Sequence, residues 1–115
     1  MPREFFRNDR VAAQLRRLLA ELVLDLRDAN VGDVAVTDVE VSRDLSHAKV
    51  FVNVRDETQV KTSITALNKA AGHLRGRLSH AMRMRHVPAL KFFHDDALER
   101  GSRIDELLAQ LRQKQ

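Results

Sequence analysis

Two neighbouring stretches of alternating residues constrain the fold of this chain more than any other feature. Residues 34–41 and residues 48–54 are both rich in β-branched side chains that alternate with polar ones. The short polar segment 42–47 joins them, so the sequence predicts an antiparallel hairpin with one core face and one wetter face. The valines change parity in the middle of the first strand, which indicates a β-bulge near Thr37 and Asp38.

Helical patterns flank this hairpin on both sides. Before it, an apolar stripe predicts a helix that is capped by Asn8 and ends near Asp28. After it, a longer stripe predicts one continuous helix that starts at Asp56 or Thr58 and ends at Val87-Pro88, because the residue before a proline avoids the helical conformation. The first stripe comprises Val11, Leu15, Leu18, Leu22 and Leu26, and the second comprises Val60, Ile64, Leu67, Ala71, Leu74, Leu78 and Met82.

The last part of the chain completes a small α+β domain. Residues 90–94 predict a third strand, and Ser102 with Asp105 forms a capping box for a final helix. The buried positions expected in that helix are Ile104, Leu107, Leu108 and Leu111. The order α-β-β-α(α)-β-α predicts helices on one face of a three-stranded sheet. At 115 residues, we expect one domain over 1–115, with a core at about 8–108 and short flexible ends.

Composition excludes several classes of protein. The chain contains no cysteine, so it has no disulfide and no cysteine-based zinc site, and a reducing cytoplasm is the expected location. Its start is charged from the third residue, unlike a secretory signal. The longest apolar stretch, residues 18–26, is interrupted by Glu21 and Asp25, so no membrane span is expected.

Charge is segregated along the chain. Residues 58–94 contain seven lysines and arginines and no acid, whereas the remainder carries 13 basic and 16 acidic residues. A basic block of this kind in a small domain indicates a polyanionic partner. The alternative is a solvated face that happens to be basic.

The acid-free block has a distinct face on the predicted helix. Five side chains lie opposite the apolar stripe: Lys69, His73, Arg77, His80 and Arg83. Gly72 and Gly76 lie on the same side, although glycine within a helix costs about 1 kcal/mol relative to alanine. We expect that Gly72 breaks the helix and resists a Cβ, since the apolar stripe alone cannot explain a glycine there; the second interpretation is that glycine lets a ligand approach the backbone, and both would suit phosphate binding. A kink that merely fits the helix to a curved sheet is the remaining interpretation.

Taken together, these elements resemble a type II KH domain, an RNA-binding module. Ordinary KH domains clamp RNA with a GXXG loop, which this sequence lacks. At that place Ala70-Ala71-Gly72 resembles the Ala-x-Gly interhelical kink of the ribosome-binding factor A family. Residues 10–23, 36–54, 82–96 and 101–108 also resemble that family, so the similarity covers nearly the whole chain.

The resemblance implies a ribosome assembly factor without enzymatic activity or cofactor. Such a protein binds the immature small (30S) ribosomal subunit and its 16S rRNA and assists late maturation, including that of the rRNA 5′ end, most importantly in the cold. Its release is promoted by a GTPase assembly factor, and we expect a monomer. The implied RNA contacts are Lys69, Ala70, Gly72, His73, Arg75, Gly76, Arg77, His80, Arg83 and Arg85. Secondary contacts are expected at Arg3, Arg7, Arg10, Arg43 and Lys49.

Other sites receive less support from the sequence. His94-Asp95-Asp96 has the His-Asp pair of some metal-dependent phosphohydrolases, but the other histidines have no acid beside them to complete a metal site, so a strand end followed by a polar turn is favoured. Ser46-His47 and Ser79-His80 are adjacent pairs, and adjacency alone does not create a nucleophile. We therefore expect neither a metal site nor catalysis.

Two rival functions remain open. One is a protein-interaction module that uses the basic helix to bind an acidic partner. The other is a peripheral membrane protein, which the lack of bulky apolar residues on the exposed helix face argues against. Phe5 or Phe6 could stack on RNA bases, but a hydrophobic staple onto the first helix is favoured.

Overall fold

The computed structural model describes residues 5–6, 10–84 and 86–96. In chain order the elements are β1 (Phe5–Phe6), α1 (Arg10–Leu24), β2 (Val34–Ser42), β3 (His47–Val54), a 3₁₀ turn (Glu57–Gln59), α2 (Val60–Lys69), α3 (Ala71–Met82) and β4 (Ala89–His94). The predicted α+β class is confirmed. The predicted Asn8 cap and the final helix lie outside the described residues.

The strands form a four-stranded sheet in the order β1-β2-β3-β4. The predicted hairpin is confirmed as the antiparallel pair β2–β3, and its register shifts between Val36 and Asp38, so the predicted bulge at Thr37 is confirmed. The predicted third strand is β4, which pairs parallel to β3. The two-residue strand β1 pairs with β2 and was not predicted, because so short a segment has no measurable alternation.

The core lies between the sheet and the helices. Alternate β3 residues point towards the helices and are at most 5% exposed, as predicted: Ala48, Val50, Val52 and Val54. In α1, the buried line is Ala12, Leu15, Leu19 and Val23, whereas the other predicted core positions lie at its margin and are half-buried. The apolar face of α1 is wide, so the periodicity alone does not show which of its residues are buried most deeply. Packing against β2 decides this. The helix also ends at Leu24, earlier than predicted.

The helix that the apolar stripe predicts is divided into α2 and α3 at Ala70, within the interhelical kink expected at Ala70-Ala71-Gly72. The α-helix starts at Val60, later than the predicted Asp56 or Thr58. Asp56 instead caps the preceding 3₁₀ turn, where its carboxylate accepts hydrogen bonds from the Thr58 hydroxyl at 2.7 Å and the Thr58 N–H at 3.0 Å. These two bonds, the hydroxyl first, keep the pKa of Asp56 below its ordinary value. The predicted apolar stripe holds across both helices, since Leu67, Leu74 and Leu78 are 0% exposed.

The end of α3 differs from the prediction. The helix stops at Met82 because Arg83 adopts a left-handed conformation, with φ 51°. Val87 and Pro88 follow in a buried loop that leads into β4. Pro88 therefore prevents a helix from continuing through residues 87–88, but it does not determine where α3 ends.

Candidate nucleic-acid interface

The junction of α2 and α3 lies at Ala70. This residue has φ −83° and ψ −4°, and its N–H is shared between the carbonyl groups of Ala66 at 3.0 Å and Leu67 at 3.1 Å. Its own carbonyl accepts the Leu74 N–H at 3.0 Å, which starts the hydrogen bonding of α3. The interhelical break is therefore made by an alanine with right-handed geometry.

The expectation that Gly72 breaks the helix is wrong. Gly72 lies within the first turn of α3, outside the left-handed region, and a Cβ built on it meets nothing within 4 Å. The same space surrounds Gly76. Neither position needs glycine for backbone geometry or packing. The two glycines instead leave a stretch of the exposed α3 backbone uncovered, in keeping with the second interpretation, a close approach by a ligand.

The predicted basic side of the helix pair is fully on the surface. Five side chains are exposed there: Lys69, His73, Arg77, His80 and Arg83. Within the described part of the chain none of these five takes part in an ion pair or a side-chain hydrogen bond. Leu74 and Leu78, next to them in sequence, are buried. We refer to these five residues with Gly72 and Gly76 as the α3 surface; its charge is available to a ligand.

Arg75 has a structural contact that the sequence did not reveal. Its Nε donates to the Val87 carbonyl oxygen at 2.8 Å, which ties α3 to the loop before β4. A cavity of about 580 Å³ lies beside it, lined also by Leu45 of the β2–β3 turn and by His86. Arg75 therefore fixes the loop after the α3 surface. Arg85 lies outside the described residues.

The expected secondary contacts are scattered over the molecule. Arg10 is exposed at the start of α1, and Arg43 is exposed in the β2–β3 turn. Lys49 lies on the sheet face opposite the helices, paired in register with Lys91. The structure therefore does not bring Lys49 to the α3 surface. Arg3 and Arg7 are outside the described part of the chain.

Asn68 positions the kink and was missed by the sequence analysis. Its side-chain amide donates to the Phe92 carbonyl at 3.2 Å and its Oδ1 accepts the Phe92 N–H at 2.8 Å, as a neighbouring strand would. The last turn of α2 is thereby fastened to β4. A polar residue beside a helical apolar stripe is the only sequence signal, and it does not identify a partner 24 residues away.

The two histidine motifs that the structure describes in detail, His94-Asp95-Asp96 and Ser46-His47, make local structural contacts. As predicted, β4 ends at His94 and a polar segment follows, with Asp95 accepting a hydrogen bond from the Thr37 hydroxyl at 2.6 Å. Ser46 Oγ lies 2.8 Å from His47 Nδ1 and 2.7 Å from Asp44 Oδ1. The serine thus stands between the acid and the imidazole, whereas in a hydrolytic triad the imidazole stands between the other two.

The described ranges contain neither a metal-binding cluster nor a helix that could cross a membrane. Residues 10–84 and 86–96 contain no group of three or more metal-ligating side chains. Among the same residues, no helix has the length and apolar character needed to cross a membrane.

Comparison with known proteins agrees with the fold. The family model for ribosome-binding factor A matches residues 7–108. The chain is 47% identical over 110 residues to ribosome-binding factor A of Xanthomonas euvesicatoria, covering 95% of this chain and 85% of that protein. It superimposes on the crystal structure of ribosome-binding factor A from Thermus thermophilus with a TM-score of 0.66 and 33% identity, covering 73% of this chain and 91% of the other.

A second similar set of coordinates is a homology model of the Thermus thermophilus factor, fitted into the cryo-EM map of its complex with 30S. It has a TM-score of 0.65 and 33% identity to this chain, covering 74% of this chain and 91% of its own. The match over residues 7–108 and the identity over 95% of the length show that this chain belongs to the ribosome-binding factor A family.

Proposed function

We propose that this protein is a non-catalytic assembly factor that binds the immature small (30S) ribosomal subunit through its 16S rRNA. In this proposal it assists late maturation, including processing of the rRNA 5′ end. The observation that carries the proposal is the α3 surface, an exposed group of cations and histidines at the junction of two helices that forms no ion pair among the described residues. The related Thermus thermophilus protein, fitted in a 30S complex, supports the choice of partner.

The α3 surface suits an RNA backbone better than a single anion. His73, Arg77 and His80 follow one another at four and three residues along α3, which spreads them over about 10 Å. Phosphates of one strand can be bound in succession along such a row. Contacts of this type orient RNA without reading its sequence. Because the chain has no tryptophan or tyrosine, we expect recognition to depend on charge and on RNA shape.

The family resemblance extends the proposal beyond binding. We infer that the protein acts as a monomer in the cytoplasm, where ribosomes assemble, and that it matters most in the cold. A GTPase assembly factor would promote its release before translation. Release of a protein held mainly by phosphate contacts needs no covalent chemistry.

Sedimentation tests the proposed partner. In a sucrose gradient of cell lysate, the protein should migrate with free small subunits and be absent from translating ribosomes. After complete digestion of RNA, it should return to the top of the gradient. A complex that survives digestion would support the rival function, an acidic protein partner, and would contradict RNA binding.

Salt dependence tests the role of charge. With about five phosphate contacts, a plot of log K against log salt for purified small subunits should have a slope of about −3.5 to −4.5. Each contact releases condensed counterions, which produces this dependence. A slope near zero would mean that the α3 surface is merely solvated.

A further inference from the structure

We propose that a groove on the other side of the kink, between α2 and the α1–β2 loop, binds a further phosphodiester of the same RNA strand. The groove has a volume of about 380 Å³. Its polar lining consists of Asp28 and Asn30 from the loop and of Lys61, Thr62, Thr65 and Lys69 from α2. This inference rests on the proposed function, and it adds a binding site to it.

The α2 wall of the groove presents hydrogen-bond donors that have no partner among the residues that the structure describes. Lys61, Thr65 and Lys69 recur every four residues and so form one row of about 12 Å along the helix. Within the described part of the chain, the side chains of Lys61, Thr62, Thr65 and Lys69 make neither a hydrogen bond nor an ion pair. Two ammonium groups and two hydroxyls are therefore available to the oxygen atoms of a ligand.

The charge of the groove favours an anion. Asp28 supplies the only carboxylate among the lining residues that the structure describes, and this group already accepts the Asn30 N–H at 2.9 Å, within its own loop. The two lysines outnumber it. The floor is Ala66, which is 5% exposed and too small to hold an apolar partner side chain. Among the lining residues that the structure describes, Ala66 alone has a wholly apolar side chain, which disfavours a lipid or an amphipathic helix, whereas each lysine can bind a phosphate oxygen.

Lys69 makes the groove continuous with the α3 surface. It is the last residue of α2, it lines the groove, and it directly precedes Ala70 at the kink. A strand that follows His80, Arg77 and His73 towards the start of α3 therefore meets Lys69 next. An extended polyanion can occupy both sites at once, which a free phosphate cannot.

Single lysine substitutions in the full chain test the groove. We would measure the affinity of purified small subunits by co-sedimentation at several salt concentrations. Lys61→Ala should weaken binding about five- to eightfold near 0.1 M salt and should make the log K against log salt slope shallower by about 0.7–0.9. Asp28→Asn keeps an oxygen for the Asn30 N–H but removes the negative charge, so it should bind more tightly.

Lys91→Ala is the matched control. It makes the same change of charge at an exposed residue of β4, on the sheet face opposite the helices. It should bind within about twofold of the unaltered protein and keep its salt slope. The groove variants should melt like the unaltered protein, and Lys91→Ala slightly lower, because it removes the ammonium 5.5 Å from the Phe93 ring centroid.

The outcomes separate the two proposals. If Lys61→Ala binds no more weakly than Lys91→Ala while Arg77→Glu with Arg83→Glu abolishes binding, the groove inference is wrong and the α3 surface stands. If the arginine reversals also leave binding unchanged, the proposed function itself fails. Should Lys61→Ala lower the melting temperature, Lys61→Gln provides the same loss of charge with a longer side chain.

Discussion

The buried and exposed sides of the α2–α3 pair differ in what they contribute to this protein. On the buried side, Leu67, Leu74 and Leu78 are completely inaccessible and hold the helices on the sheet. On the other side, Lys69 and Arg77 are exposed and have no partner within the described part of the chain. One side therefore determines the stability of the fold, and the other can change its charge without disturbing the core. Residues adjacent in sequence should accordingly respond to substitution in opposite ways.

The largest effect is expected on the buried side. Leu78→Ala should lower the free energy of unfolding by about 2–5 kcal/mol, because it removes buried methyl groups and leaves a cavity. Urea unfolding followed by circular dichroism would measure it. Arg77→Ala, one residue earlier, should change stability by about 0.5 kcal/mol or less. Equal losses in both variants would contradict the assignment of faces.

Charge reversal on the exposed side should affect binding alone. Arg77→Glu with Arg83→Glu should melt like the unaltered protein but bind small subunits at least about 25-fold more weakly near 0.1 M salt, since two phosphate contacts are lost. Arg77→Lys with Arg83→Lys retains the charge and should bind almost normally. Unfolding of the glutamate variant would show that these arginines are not on the exposed side.

Gly72→Ala sharpens the comparison because it should move stability and binding in opposite directions. The position is helical and has space for a methyl group, so alanine should stabilise the protein by about 0.4–1 kcal/mol. Small-subunit binding should weaken if the RNA backbone approaches α3 closely at this point. Thermal melting and co-sedimentation measure the two effects. A variant that melts higher and binds equally well would make the glycine incidental to RNA binding.

The smallest effect is expected where α3 ends. Arg83 has φ 51°, which is costly for a residue with a Cβ, so Arg83→Gly should gain about 0.5 kcal/mol after the entropy of glycine is counted. Arg83→Ala removes the same guanidinium but keeps the strain. Both variants should therefore bind equally weakly, and only the glycine variant should melt higher. Identical melting temperatures would mean that the left-handed residue costs little here.

Local sequence patterns predicted most of the secondary-structure elements and part of the candidate site. The alternation of Ala48, Val50 and Val52 identified the core face of β3, and the change of parity located the bulge at Thr37. The exposed face of the acid-free helix was also predicted, because Arg77 lies opposite the apolar stripe that includes the buried Leu78. These features depend on spacings of two to four residues along one element, and the sequence contains that information directly.

Tertiary contacts decided where the helix breaks and how the site is held. The break lies at Ala70, beside the turn that Asn68 fastens to Phe92. Arg75, predicted as an RNA contact, bonds to the Val87 carbonyl instead of remaining wholly available. Local periodicity cannot identify such partners, because they are brought together only when β4 pairs parallel to β3. The sequence by itself thus determined the elements, their inner and outer faces, the concentration of charge and, through the family resemblance, the approximate place of the kink. The residue at which the helix breaks, the centre of α1 and the groove beside α2 were decided by packing between segments distant in the chain.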